Sequence, residues 1–103
     1  MAILTTFKHT GDPEEMMKLA DEKVRPIARE AGAEHGQISS TIVRTDDGIM
    51  LVNLWESEAG MRRASERVGP VARASGLPPQ EDWQMYEVIV HLAPAADGVV
   101  DCA

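Results

Sequence analysis

A chain of 103 residues with 44% apolar residues and a net charge of −7, Asp and Glu outnumbering Lys and Arg by 17 to 10, is too short for two domains and too apolar to stay disordered. The acidic balance removes the counterion-release drive toward nucleic acid and the attraction to anionic membrane, so neither is expected as a partner. Cys102, the single cysteine, excludes an internal disulfide and a Cys-based zinc site; with no secretory signal read at the start and no apolar run near the roughly 20 residues of a membrane span, the expected location is the cytoplasm.

The first strand is expected over Ala2 to Lys8, a short β-branched run, followed by a turn at His9-Thr10-Gly11. Asp12-Pro13-Glu14-Glu15 opens a helix: Asp12 can cap, Pro13 suits the first helical position, and Glu15 sits where a capping box places an acid. Met16, Ala20, Val24, Ile27 and Ala31 continue at helical spacing, Pro26 should kink the helix, and Gly32 should stop it. Gln37 to Thr45 and Ile49 to Trp55 read as a hairpin around Asp46-Asp47-Gly48, a type I′ signal because that turn needs residues tolerant of positive φ. With Asp47-Gly48 as the two-residue loop, Ile42 would face Asn53 and Ser40 would face Trp55; a longer loop would swap the faces. Ser57 can cap a second helix with Met61, Ala64, Val68 and Val71 buried, and Gly69-Pro70 should break or bend it, with a short turn on to Gly76. Trp83 to Leu92 reads as the fourth strand, and residues 94–103 as a loose tail after a domain over 1–93.

Two helices among four strands in this order predict an α+β, ferredoxin-like β-α-β-β-α-β sandwich, with a four-stranded antiparallel sheet in the order 4-1-3-2 and both helices on one face. The other face, with Val43, Val52 and Leu54 in or near it, is too apolar for a monomer to leave open. Burying about 800 Å² per subunit would contribute tens of kcal/mol gross at ~25 cal/mol/Å², before association costs. A homodimer paired sheet to sheet is the expected assembly.

A strand ending in Leu54-Trp55, followed by Glu56-Ser57-Glu58-Ala59 as a helix start, together with the Gly11-Asp12-Pro13-Glu14-Glu15 opening of the first helix and the Gly32 stop, resembles the antibiotic biosynthesis monooxygenase-like family of dimeric α/β barrels. The resemblance covers residues 2 to 92. It implies two sheets closing into a barrel across a dimer and a ligand cavity in each protomer between sheet and helices. Known members include cofactor-independent oxygenases of polycyclic aromatic substrates, haem-degrading enzymes and small isomerases. Haem degradation is disfavoured by the same comparison. Trp55 matches the Trp that lines the cavity in those relatives, but their strand-one Asn falls near Leu4, and their helix-two His meets only Arg62, Arg63 and Glu66.

Asn53 and Trp55 lie two apart and project from one face of the third strand, where an amide could orient a ligand and an indole could stack on it. The duller account is a core Trp with its N–H satisfied and an Asn bonded nearby. Tyr86 and Thr6 are expected to face the same cavity, Tyr86 to orient or deprotonate a phenolic or carbonyl group. Asn53, Trp55 and Tyr86 form the expected catalytic set, and Leu4, Thr6 and Ser40 the substrate-binding set. Glu87 should point away from Tyr86. His9, His35 and His91 share no ligand spacing, so no metal is expected, and no dinucleotide, Walker or nucleophile-elbow motif is present.

The function expected from these residues and from the resemblance is a cofactor-independent monooxygenase, or a related small enzyme, acting on a flat apolar, polyketide-like or aromatic molecule. Two alternatives stand beside it: a non-catalytic small-ligand-binding or dimeric assembly protein, and an isomerase or cyclase using the same pocket.

Overall fold

A computed structural model describes residues 1–92; the tail expected at 94–103, its boundary at 93, and Cys102 lie outside the described residues. The elements run β1 (Ile3–Thr10), α1 (Pro13–Leu19), a π-helical turn (Ala20–Val24), α2 (Arg25–Glu34), β2 (Gln37–Arg44), β3 (Gly48–Trp55), α3 (Glu58–Ala74) and β4 (Glu81–Glu87). The sheet order is β2-β3-β1-β4, all antiparallel, which is the expected ferredoxin-like topology.

The first helix is built as its opening residues dictate. Asp12 Oδ1 accepts from the Glu14 N–H at 3.3 Å, and Pro13 fills the first position, where no N–H is needed. Pro26 has no N–H for the Glu22 carbonyl. The helix absorbs the break just before it by widening to a π turn, in which the Arg25 N–H bonds to the Ala20 carbonyl. Helix α3 starts on Ser57, whose Oγ accepts from the Gly60 N–H at 3.1 Å. It runs on through Pro70 to Ala74, where a break or bend at Gly69-Pro70 is expected. Pro70 and Glu66 are both exposed, so water can take the carbonyl that Pro70 leaves free.

Ile3, Trp55, Ala31, Met61 and Ala64 form the buried cluster, with Val68 packed against it, so one face of β1 and β3 meets α2 and α3. Arg67 ties those helices together by donating to Glu30 at 2.7 Å and Glu34 at 2.8 Å. The hydrogen bond to Glu30, above all, raises the guanidinium pKa beyond its already high ordinary value. Arg67 therefore stays charged wherever the two carboxylates are ionised.

Three local expectations are corrected. The hairpin closes one residue earlier on each strand: Thr45 N–H bonds to the Gly48 carbonyl at 2.9 Å, and Arg44 pairs with Ile49, Ile42 with Leu51 and Ser40 with Asn53. Because both strands shift together, the faces are kept. The turn is not type I′, since neither Asp46, Asp47 nor Gly48 takes a positive φ. Gly48 is needed for a different reason: a Cβ there would lie 2.0 Å from the His9 carbonyl oxygen on the neighbouring strand. Gly48→Ala should therefore destabilise the fold by about 1–3 kcal/mol or more, read as a fall of roughly 4–8 °C in Tm per kcal/mol; an unchanged Tm would contradict this packing.

The first strand runs through His9 and Thr10, which were expected as turn, because they still pair with Ile49 and Gly48 of β3. The fourth strand starts at Glu81 and ends at Glu87, five residues short of Leu92. Val88 N–H reaches the Ala2 carbonyl at 2.9 Å, just before β1 begins at Ile3. Ile89, Val90 and Leu92 are left 92%, 69% and 83% exposed.

Candidate functional site

Register assigns each expected site residue to a face. Thr5 pairs with Asn53 and Ile3 with Trp55, so these four share the helix side of the sheet. Leu4 pairs with Leu54 and with Tyr86, and Thr6 with Val52. Leu4, Thr6 and Tyr86 therefore lie on the opposite face. The expectation that Tyr86 and Thr6 share a cavity with Asn53 and Trp55 is corrected: strand alternation separates them by the thickness of the sheet. Ser40 does join Asn53, as its direct cross-strand partner on the helix side. Glu87, opposite Ile3, points to the helix side, away from Tyr86.

Trp55 is 6% exposed and belongs to the packed cluster; its Nε1–H donates to Thr5 Oγ1 at 3.3 Å. This is the satisfied core Trp weighed against a stacking platform. Asn53 is 8% exposed, and its Oδ1 accepts from Gln37 Nε2 at 3.3 Å. His9, read from sequence as a turn residue, is buried; its Nδ1 lies 2.8 Å from the Pro78 carbonyl oxygen, and its ring meets Phe7 edge-on with centroids 5.6 Å apart. His35 is half-buried, with Nε2 3.8 Å from Glu34. No group of three potential metal ligands comes together among the described residues.

The open space on the helix side lies beside this pair, not under Trp55. A cleft of about 650 Å³ runs between α1 with its π turn and the outer hairpin, lined by Met17, Ile42 and Ile49 among apolar groups and by Glu14, Lys18 and Arg44 among charged ones. Leu51, beside Ile42, is half-buried; Ser40, beside Asn53, is exposed although it faces the helix side. Ile42 and Ile49 thus floor an apolar trough beside α1, while α2 reaches β2 at Gln37, which lies against Gly32. Ser40 and Asn53 follow farther along the same face, outside the residues that line the trough.

Such a trough can take a flat apolar body. Sequence reasoning missed Gln37 and Thr5, the partners of Asn53 and Trp55. Thr5 could have been found from the alternation Ile3, Thr5, Phe7, but Gln37 reaches this face through an irregularity in β2 that no motif announces.

No protein-family model matches this chain, and no curated protein matches it. Solved structures do. A dimeric ferredoxin-like protein from an uncultured marine organism aligns with a TM-score of 0.68 at 14% identity, covering 91% of this chain and 92% of that one. SnoaB from Streptomyces nogalater, a cofactor-independent oxygenase, aligns with a TM-score of 0.61 at 19% identity, covering 90% and 96%. A candidate antibiotic biosynthesis monooxygenase from Chloroflexus aurantiacus J-10-fl aligns with a TM-score of 0.60 at 14% identity, covering 88% and 97%. The chain thus shares the ferredoxin-like fold, over nearly its full described length, with antibiotic biosynthesis monooxygenase-like proteins.

Proposed function

We propose that this protein is a homodimeric enzyme that oxygenates a flat, apolar, phenol- or polyketide-like molecule without a bound cofactor. The observation that carries the reading is the cleft floored by Ile42 and Ile49, with Leu51, Ser40 and the Asn53 amide farther along the same face of the sheet. The fold shared with a cofactor-independent oxygenase supports it, and so does the dimeric state of a neighbour of the same fold.

The chemistry requires the substrate to supply all the electrons. An anthrone-type methylene flanked by aromatic rings loses a proton to form a delocalised carbanion, which passes an electron to O₂. One oxygen atom then enters the carbon as C=O and the other leaves as water: CH₂ plus O₂ gives C=O plus H₂O, a four-electron oxidation balanced by full reduction of one O₂. The protein's task is to hold the ring system flat on Ile42 and Leu51 and to stabilise the negative charge on the ring oxygen by a hydrogen bond from Asn53. Trp55 acts through packing behind that amide. Leu4, Thr6 and Tyr86 lie in the sheet-to-sheet interface of the dimer.

Oxygen consumption with the anthrone dithranol is the test. Wild-type protein should accelerate uptake and yield the anthraquinone; Asn53→Leu should lower kcat about a hundredfold, the cost of removing one donor to a developing oxyanion. Uptake no faster than the uncatalysed rate would sink the oxygenase reading. Conversion of the probe without oxygen consumption would favour the isomerase or cyclase instead. Binding without turnover would favour the non-catalytic module, which the packed position of Trp55 also suits.

A further inference from the structure

We propose that Gln37 is a positioning residue that fixes the polarity of the Asn53 amide, so that Asn53 presents its N–H₂ group to an anionic or carbonyl oxygen of the ligand. This inference rests on the reading above that Asn53 serves a ligand in the trough.

The backbone is irregular where it aims Gln37. Ser39, Thr41 and Val43 pair with Leu54, Val52 and Met50 and face away from the helices. Plain alternation would send Gln37, two residues before Ser39, the same way. Instead the register shifts between Gln37, opposite Trp55, and Ser39, opposite Leu54. The extra residue, Ile38, is a bulge, and it turns Gln37 onto the helix side. The bulge leaves Ile38 48% exposed.

A second local irregularity makes room for the same side chain. Gly32 is buried inside α2, with no positive φ to explain it. A glycine there costs about 1 kcal/mol of helix stability against alanine. A Cβ on Gly32 would lie 2.3 Å from Gln37 Oε1 and 3.1 Å from Gln37 Cβ. The missing methyl is the space the Gln37 amide occupies. An exposed isoleucine and a glycine in the last turn of α2 thus both serve one contact, Gln37 Nε2 donating to Asn53 Oδ1 at 3.3 Å.

The chemical consequence follows from what an amide offers. Its oxygen only accepts and its nitrogen only donates. With Oδ1 turned to Gln37, the N–H₂ group faces the other way and is what Asn53 offers to another partner. The site is therefore polarised toward a ligand that brings an acceptor, such as a phenolate, an enolate or a ketone, and against one that brings an ammonium group there.

The experiment is a double-mutant cycle read by dithranol oxygen uptake, with thermal unfolding as the control for folding. Gln37→Leu should lower kcat about tenfold with KM within about twofold, because a mis-set donor is lost chiefly from the transition state. Gly32→Ala, which displaces Gln37 without touching Asn53, should reproduce that loss. Adding Gln37→Leu to Asn53→Leu should cause no further fall, since one residue acts through the other. Independent losses in the double variant, or wild-type kcat in both Gln37→Leu and Gly32→Ala, would overturn the proposal.

A readout without turnover separates this inference from the function it rests on. The side-chain amide NMR signals of Asn53, identified by their absence in Asn53→Asp, should move in Gln37→Leu. Movement without any oxygen uptake by the wild type would keep the positioning role and reject the oxygenase. Unmoved signals would reject the positioning role whatever the activity.

Discussion

Trp55→Ala should lower the stability of the folded chain by about 3–5 kcal/mol, the range for truncating a large buried aromatic side chain. Against a total of about 5–15 kcal/mol for a domain of ordinary stability, that takes away a third or more. The ring is 6% exposed and closes the cluster of Ile3, Ala31, Met61 and Ala64, so its loss leaves a cavity between the sheet and two helices. Two companion changes divide the effect. Trp55→Phe keeps a ring in the cluster and gives up part of the volume and the bond to Thr5 Oγ1. Thr5→Val keeps the ring and removes the acceptor, stranding a buried N–H at about 1–3 kcal/mol. Urea unfolding of the three variants should rank Ala well above the other two. A loss under about 1 kcal/mol for Trp55→Ala would mean that the indole is not a core residue and would reopen its role as a ligand platform.

Val52→Lys should convert a homodimer into monomers. Val52 pairs with Thr6 and Thr41 and faces away from the helices, beside Leu54, Leu4 and Met50. On that face Leu54 is buried, Leu4, Met50 and Val52 are half-buried, and Tyr86 is 52% exposed. A lysine at the centre of a sheet-to-sheet interface would bury an ammonium group without a partner, at a cost of about 3–5 kcal/mol. That corresponds to roughly two to four powers of ten in Kd. Light scattering should report twice the 11.2 kDa of one chain for the wild type at micromolar concentration and a single chain for the variant. Circular dichroism should be unchanged, since the helix side of the sheet is untouched. A wild type that is already monomeric would refute the dimer and return the exposed Tyr86 and Val43 to the list of unexplained apolar surface.

The two variants probe opposite faces of one sheet, and that division is where sequence reading and structure part. Asn53 and Trp55 were placed on a common face correctly, because two residues on one strand need only the alternation of the strand itself. Tyr86 and Thr6 were placed wrongly relative to them. Their face depends on which residue of β1 meets which residue of β3 and β4, and the pairings Leu4 with Tyr86 and Thr6 with Val52 carry no local mark. Ser40 was assigned to the right face with the wrong neighbour, since the hairpin closed on Asp46 and Asp47 instead of Asp47 and Gly48.

Local signals that act through their own backbone were legible: the Asp12 and Ser57 caps, the break forced by Pro26, the order of elements and, from that order, the sheet topology. Each depends on a few neighbouring residues and on rules of steric fit and hydrogen bonding that hold in any fold. What only the tertiary structure decided were the contacts between segments far apart in the chain. Gly48 looked like a turn glycine and is a close-approach glycine against His9; Gly32 looked like a helix stop and is a gap for Gln37; Trp55 looked like a site residue and is sealed in the core. A glycine or a tryptophan is compatible with several environments, and its own residue type cannot say which one is realised. That is settled when the strands take their register and the helices settle over them, because only then is it determined whose atoms occupy the neighbouring space.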